Sequence, residues 1–416
     1  MRVRFPLRQF VTIFLIALLL RAGWGTFRLA RADDPSALEF PDEEQYWLMA
    51  GSVSAGEGLQ DELGFRATRM PLYPVGLSVV AATANGVIIA KVFHWVIGAV
   101  VAALTAGAAA ALFDRRVGLL AGLLTAFDPF LIFFSSLLLT ETAFVAVLMA
   151  LWWLIARIIR QDTESLGRWI AVGLVAALCV YVRESSVGLY AVALGFTLVC
   201  RRFDRRTILG AAIAAGFVVL ALVPWAARNR RVVGEWCWLT TRAGISLYDG
   251  VGPQATGDSD LGNIKRMPAV RGLSEVEWNR YFMDESVKAI KSEPGRVVTL
   301  AGKKLARMWN PFPNVQTYQS PLVRAIAAVW TIPTFILAVV GALLLMTKGG
   351  RQSVRTAIFL LLPALYLSAL HSLFVGSVRY RLGAIPMVEI LAAVALVVVV
   401  DRAWHGSARR ECVVGD

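Results

Sequence analysis

The residues of this chain best suited to chemistry are carboxylates and arginines set between long apolar runs. The first group lies in FPDEEQYWLMAGSVSAGEGL, where Asp42, Glu43 and Glu44 precede Tyr46 and Trp47. Carboxylates held near hydrocarbon tend towards raised pKa values, which suits a general base acting on an acceptor hydroxyl or amine. The same triplet also reads as the solvated first turn of an interfacial helix, favoured by the helix dipole, with Tyr46 and Trp47 as membrane-interface anchors. A further carboxylate, Glu141, stands in SSLLLTETAFVAVL with apolar runs on both sides. An ionisable residue in that setting is a site candidate; the alternative is an N-cap box that satisfies the first amides of the following helix. Asp128, in an Asp-Pro pair, reads as support for a helix break.

Arginines form the complementary half: Arg69 in TRMPLYP, Arg183 beside Glu184 in YVRESS, and Arg379 with Arg381 in SVRYRLGAIP. Guanidinium grips phosphate through paired, charge-assisted hydrogen bonds. Any one of these could instead snorkel towards lipid headgroups. Three separate chain regions converging on one membrane depth favour a phosphate site. His94, His371 and His405 are scattered without metal-ligand spacing, so no metal site is read. Cys179 and Cys200 fall in apolar runs, Cys412 in the C-terminal tail, and only Cys237 in an outer segment, which leaves no exported disulfide. Neither a glycine-rich phosphate cradle nor a serine or cysteine nucleophile motif occurs.

The elements that must position these residues are membrane helices. Of the 416 residues 57% are apolar and 17% charged, and the mean hydropathy is +0.62, well outside the range of soluble domains. Continuous runs such as VFHWVIGAVVAALTAGAAAALF predict an all-α polytopic membrane protein and exclude a barrel. The net charge of +13 does not point to nucleic acid. Its basic residues recur as short punctuation between spans (Arg2, Arg4 and Arg8; Arg115 and Arg116; Arg157, Arg160 and Arg168; Arg201, Arg202, Arg205 and Arg206; Lys348, Arg351 and Arg355), which is positive-inside patterning.

The first apolar run reads as a retained span and not a signal peptide, since no small-residue cleavage site follows it. The stretch from Leu72 to Ala90 sets every later orientation. Taken as re-entrant or interfacial, it places all the short basic loops on the cytoplasmic side. About ten spans then follow, near 10–30, 91–113, 117–138, 142–158, 169–182, 186–200, 207–227, 321–346, 355–374 and 383–400. The expected organisation is an N-terminal membrane module (1–227) with its first outer loop at 31–90, an outer segment (228–320) and C-terminal membrane helices with a short tail (321–416). Both termini are cytoplasmic in this reading. Helical spacing of Val276, Tyr281, Met283, Val287 and Ile290 predicts interfacial helices within 228–320, forming a small extracytoplasmic cap.

Five features in order carry a resemblance: Asp42-Glu43-x-x-Tyr46; Arg69-x-Pro71-Leu72-Tyr73-Pro74; DRRVGLLAGLLTAFDPFLIFFSSLLLTET; RNRRVVGEWCWLTTRAGISLYDG; and Arg379-Tyr380-Arg381 before the last span. Together the chain resembles the C-superfamily membrane glycosyltransferases, in the branch of the dolichyl-phosphate-mannose protein mannosyltransferases and the bacterial lipid A aminoarabinose transferase. One departure is RYRLGAIP, with Gly383 where relatives often carry proline.

The resemblance implies an enzyme of the cytoplasmic (inner) membrane with its active site facing the periplasm or cell exterior. Its donor would be a sugar on a polyprenyl phosphate. Its acceptor would be an envelope lipid, glycan or protein, with membrane lipids as surroundings. By position, Asp42 would deprotonate the acceptor beside Glu43, and Glu141 would be the second acidic position. Arg69, Arg183, Arg379 and Arg381 would bind the donor phosphate, and Tyr46 and Tyr380 would line the substrate pocket. Since a glycosyl phosphate already carries its leaving group, a base and phosphate-stabilising cations suffice for a single inverting displacement. No cofactor is required on that account, although Asp42 and Glu141 could hold a divalent metal. The competing reading is a transporter or flippase of lipid-linked sugars. It predicts inverted repeats and charges deep within several spans, whereas these spans read as nearly free of central charge.

Overall fold

The computed structural model describes residues 6–160 and 165–411, with side chains as far as Asp401. Arg2, Arg4, Cys412 and the side chain of His405 lie outside the described residues. Those residues form helices and loops, without strands. In chain order the helices are α1 (Leu7–Arg31), α2 (Pro41–Ser54), α3 (Leu72–Ala81), α4 (Gly86–Leu112), α5 (Arg115–Phe127), α6 (Pro129–Phe134), α7 (Thr140–Arg160), α8 (Leu166–Val182) and α9 (Ser186–Cys200). They continue with α10 (Arg205–Val233), α11 (Ala243–Val251), α12 (Leu261–Ile264), α13 (Glu275–Ser292), α14 (Pro294–Met308), α15 (Pro321–Thr347), α16 (Arg351–Leu373) and α17 (Ile385–Glu411).

Among the described residues seven segments are long and apolar enough to cross a membrane: α1, α4, α7, α10, α15, α16 and Val378–Asp401. The chain is therefore an integral membrane protein of helical spans. Three of the ten segments expected to cross are shorter. The helices α8 and α9 have 17 and 15 residues, or about 26 and 23 Å against a hydrocarbon core of about 30 Å. The run expected as one span over 117–138 is broken in two at Asp128. Pro129 has no N–H to continue α5, and Asp128 Oδ1 accepts from the Leu131 amide at 2.7 Å to start α6 afresh. Leu72 to Ala90 does not cross as one helix either. It divides into α3, which at 10 residues rises about 15 Å, and the start of α4.

The break in α5 explains a charge that hydropathy alone made awkward. Arg21 of α1 is fully buried, and its guanidinium donates to Ala17 O of its own helix at 3.2 Å and to Ala126 O at 3.2 Å and Thr125 O at 3.3 Å, the latter two being carbonyls that the interrupted helix leaves free. Glu389 of α17, also fully buried, accepts from Thr125 Oγ1 at 2.5 Å. Lys91 and Asp128 are buried as well. The helical bundle thus holds more interior charge than its hydropathy suggested, and much of it is hydrogen-bonded to backbone.

At the centre stand α4, α7 and the Val378–Asp401 segment, whose apolar windows are 56%, 67% and 72% buried, against 22% in α1. Packing at α4 is close because its inward face is alanine: Ala99, Ala102, Ala103, Ala106 and Ala109 are all buried, and a Cβ on Gly122 of α5 would come within 2.8 Å of Ala106. The outer faces of α10 and α15, with Leu209, Val219, Leu220, Val329 and Ile336 exposed, are the surface a bilayer must cover. Residues 228–320 start inside α10 and continue as α11 to α14. A small core of Ile245, Ile264, Val270, Trp278 and Phe282 holds α11, α12 and α13 together, and α13 opens on a Ser274–Glu277 capping box.

Candidate active site

Helix α2 begins at Pro41, which suits a first helical position, and puts Asp42, Glu43 and Glu44 in its first turn, where the dipole favours negative charge. Successive helical residues diverge by roughly 100°, and the two carboxylates take different roles. Glu43 is fully buried. Its Oε2 accepts from the amides of Glu39 (3.0 Å) and Phe40 (3.1 Å), and its Oε1 from the amide of Leu138 (2.6 Å). It clamps the start of α2 to the irregular segment that precedes α7. Burial raises the Glu43 pKa even against these three donors.

Asp42 faces arginines. Its Oδ1 accepts from Arg69 Nη2 at 2.5 Å and its Oδ2 from Arg379 Nη1 at 2.8 Å. The Nε of Arg379 donates to Glu141 Oε1 at 2.8 Å, and Arg183 Nη1 reaches the same oxygen at 3.5 Å. Carboxylates of α2 and α7 and arginines from three distant loops thus meet in one cluster. Burial pushes the Asp42 carboxyl upward, but the charges of Arg69, Arg379 and Arg242 outweigh it and hold the group well below the usual carboxylate range.

Aromatic rings support the guanidiniums. Arg69 lies 4.8 Å over Tyr46, which meets Tyr73 edge-on at 4.9 Å, and Tyr73 Oη lies 3.0 Å from His94 Nε2. Tyr380 stacks on His371 at 4.0 Å, with Arg183 and Arg379 each 5.4 Å from its ring. Of the residues singled out in the sequence, Asp42, Glu141, Arg69, Arg183, Arg379, Tyr46 and Tyr380 come together.

Arg381 does not join them. It is 1% exposed, donates to the carbonyls of Met308 and Asn310, and lies over the rings of Phe130 and Phe335, where it secures the turn before α17 to the end of α14. Three site residues, Gln45, Arg242 and His371, had no distinguishing sequence pattern. Gln45 Oε1 accepts from Arg69 Nε at 2.8 Å and from Arg242 Nη1 at 3.3 Å, bringing a fourth arginine from the loop before α11. His371 Nδ1 meets Val375 O at 2.9 Å. Among the described residues no three His, Cys, Asp or Glu side chains are grouped to hold a metal ion, and Cys179, Cys200 and Cys237 are free thiols.

The arrangement offers one partly exposed carboxylate between two cations, with more cationic charge behind it. Such a cluster can bind an anion, and its carboxylate can take up a proton once it is released from the arginines.

Residues 71–227 match the family model described as dolichyl-phosphate-mannose-protein mannosyltransferase. The archaeal oligosaccharyltransferase AglB from Archaeoglobus fulgidus, in complex with an inhibitory peptide and a dolichol-phosphate, aligns with a TM-score of 0.62 at 14% identity, over 99% of this chain and 52% of that one. The Archaeoglobus fulgidus oligosaccharyltransferase tethered to an acceptor peptide gives 0.61 at 14% identity, over 96% and 50%. ArnT from Cupriavidus metallidurans, bound to undecaprenyl phosphate, aligns at 0.38 and 14% identity, over 92% and 76%. The chain spans about half the length of the archaeal structures it matches. No curated protein matches it by sequence. The chain shares the fold of the Archaeoglobus fulgidus oligosaccharyltransferase, and its residues 71–227 match the dolichyl-phosphate-mannose-protein mannosyltransferase family model.

Proposed function

We propose that this protein is a membrane glycosyltransferase that moves a sugar from a polyprenyl-phosphate donor to an acceptor hydroxyl or amine on the outer face of the cytoplasmic membrane. The observation that carries the reading is Asp42 set between Arg69 and Arg379, with Arg379 also held by Glu141.

In the reaction, Asp42 takes the acceptor proton as the acceptor oxygen or nitrogen attacks the anomeric carbon. The bond from that carbon to the phosphate oxygen breaks, and its electron pair leaves on the phosphate. The anomeric centre inverts. Arg69 and Arg379 meet the charge that grows on the leaving phosphate, and Arg183 adds to the field through Glu141 and Tyr380. Glu141 acts by orienting Arg379, since its Oε1 receives the Nε edge of that guanidinium. Envelope lipid, glycan and protein acceptors all fit this chemistry.

The test is transfer of radiolabelled sugar from polyprenyl-phosphate donors into native membranes by purified protein, with products separated into lipid, polysaccharide and protein. Label is expected with wild type and absent with Asp42→Asn, because the amide keeps the shape and removes the basicity. Equal transfer by the two proteins would sink the assigned base. Consumption by neither, with labelled donor crossing reconstituted vesicles, would establish the flippase instead.

A further inference from the structure

The two arginines beside Asp42 have the same layout. On Arg69, Nε donates to Gln45 Oε1 at 2.8 Å and Nη2 to Asp42 Oδ1 at 2.5 Å. On Arg379, Nε donates to Glu141 Oε1 at 2.8 Å and Nη1 to Asp42 Oδ2 at 2.8 Å. The inner edge of each guanidinium is thus fixed by a partner other than Asp42, and Asp42 takes only terminal nitrogens. Tyr46 under Arg69 and Tyr380 under Arg379, at 4.8 and 5.4 Å, steady the two planes. If the carboxylate swung away, both planes would stay anchored, and two terminal nitrogens would converge on one spot, matched to two oxygens of one anion. The spot can be reached, since the side chains of Asp42, Arg69 and Arg379 are 24%, 13% and 19% exposed.

This inference rests on the transferase reading. We propose that in the ligand-free protein Asp42 occupies the seat of the donor phosphate, and that the incoming phosphate displaces it and so releases the base. The exchange replaces one anion by another on the same nitrogens, so the arginines lose no partner. A carboxylate paired on both oxygens has little basicity to offer, whereas one freed from both arginines can accept an acceptor proton. Donor must therefore bind before the acceptor is activated, and acceptor alone meets an occupied base. After transfer the phosphate holds the arginines until it departs. Asp42 then gives the acceptor's proton to solvent and returns to its resting pairs.

The experiment uses detergent-purified full-length protein with undecaprenyl phosphate as the probe. Asp42→Asn and Asp42→Ser both remove the internal competitor, and each is expected to bind the probe roughly tenfold more tightly than wild type. In the wild type, saturating probe is expected to increase labelling of Asp42 by a hydrophobic carbodiimide, read by peptide mass spectrometry, because the reagent needs a carboxyl that can take up a proton. Both results are required. Labelling that stays level or falls overturns the displacement whatever the affinities of the variants, and so does unchanged or weaker binding by both variants. Saturable binding that is lost in Arg379→Gln would leave the donor reading standing even then. The absence of saturable binding to all the proteins overturns the displacement and the donor reading together.

Discussion

Asp42 and Glu141 are joined through a single guanidinium: Arg379 donates from Nη1 to Asp42 Oδ2 and from Nε to Glu141 Oε1, both at 2.8 Å. One planar side chain thereby fixes the distance between the outer-loop carboxylate and the carboxylate at the head of α7. A lysine has one compact ammonium and cannot hold two edges at once. Arg379→Lys is expected to reduce transfer about 10- to 100-fold, the worth of one or two charge-assisted hydrogen bonds, while leaving thermal stability within a few degrees. Kinetic assay beside a thermal melt separates the two effects. A Lys variant with wild-type turnover would remove Arg379 from the reaction.

Glu43 carries a structural prediction. Glu43→Ala removes the acceptor of one buried amide, that of Leu138, and of two part-buried ones, those of Glu39 and Phe40. The expected cost is about 3 kcal/mol or more. It should appear as a clear drop in the unfolding midpoint in detergent, together with proteolytic opening of the 31–41 segment. Unchanged stability would show that the clamp is dispensable.

A pH dependence follows from Lys304. This residue is fully buried, and its Nζ donates to the carbonyls of Ser372 (3.1 Å) and Leu373 (2.6 Å) at the end of α16. Burial lowers its pKa from 10.5 to about 8, opposed by nearby Asp249 and aided by Arg296. Between these two values the unfolded chain binds more protons than the folded one, so stability gained through this group rises with pH across that window and is lost as pH falls through about 8. A neutral amine still has two N–H groups for the two carbonyls. The difference in melting temperature between wild type and Lys304→Met should therefore shift in favour of wild type from pH 7.5 to about 10. A flat difference would refute the assignment.

The orientation is open to a simple check. A reporter fused after Arg116 is expected to signal from the cytoplasm and one fused after Gly257 from outside, as basic loops facing inward require. An external signal after Arg116 would invert the arrangement and with it the side on which Asp42 works.

Much of the cluster was legible because of chemistry out of place. Asp42, Glu141, Arg69, Arg183 and Arg379 interrupt or border long apolar runs, and the cost of such placements marks them. Arg381 shares that signature two residues along, yet the short 3-10 helix Val378–Ala384 turns it away from Arg379 and towards backbone carbonyls. Helix phase, invisible to a motif, makes the same division between Asp42 and Glu43. Gln45 and Arg242 gave no such signal, since polar residues in polar surroundings look alike until the chain is folded. Hydropathy also averaged across Asp128 and so read a broken pair of helices as one span, although the Asp-Pro pair that causes the break stood in plain view.

The position of Arg379 just before the last membrane segment has a consequence for biosynthesis. Asp42 and Arg69 emerge first from the ribosome and Glu141 and Arg183 later, but the guanidinium that joins the carboxylates follows only after a further long stretch of chain. A nascent chain paused at any earlier point, already threaded into the bilayer, has no guanidinium to join Asp42 to Glu141. Synthesis of residue 379, and not of either carboxylate, is the step that closes the cluster.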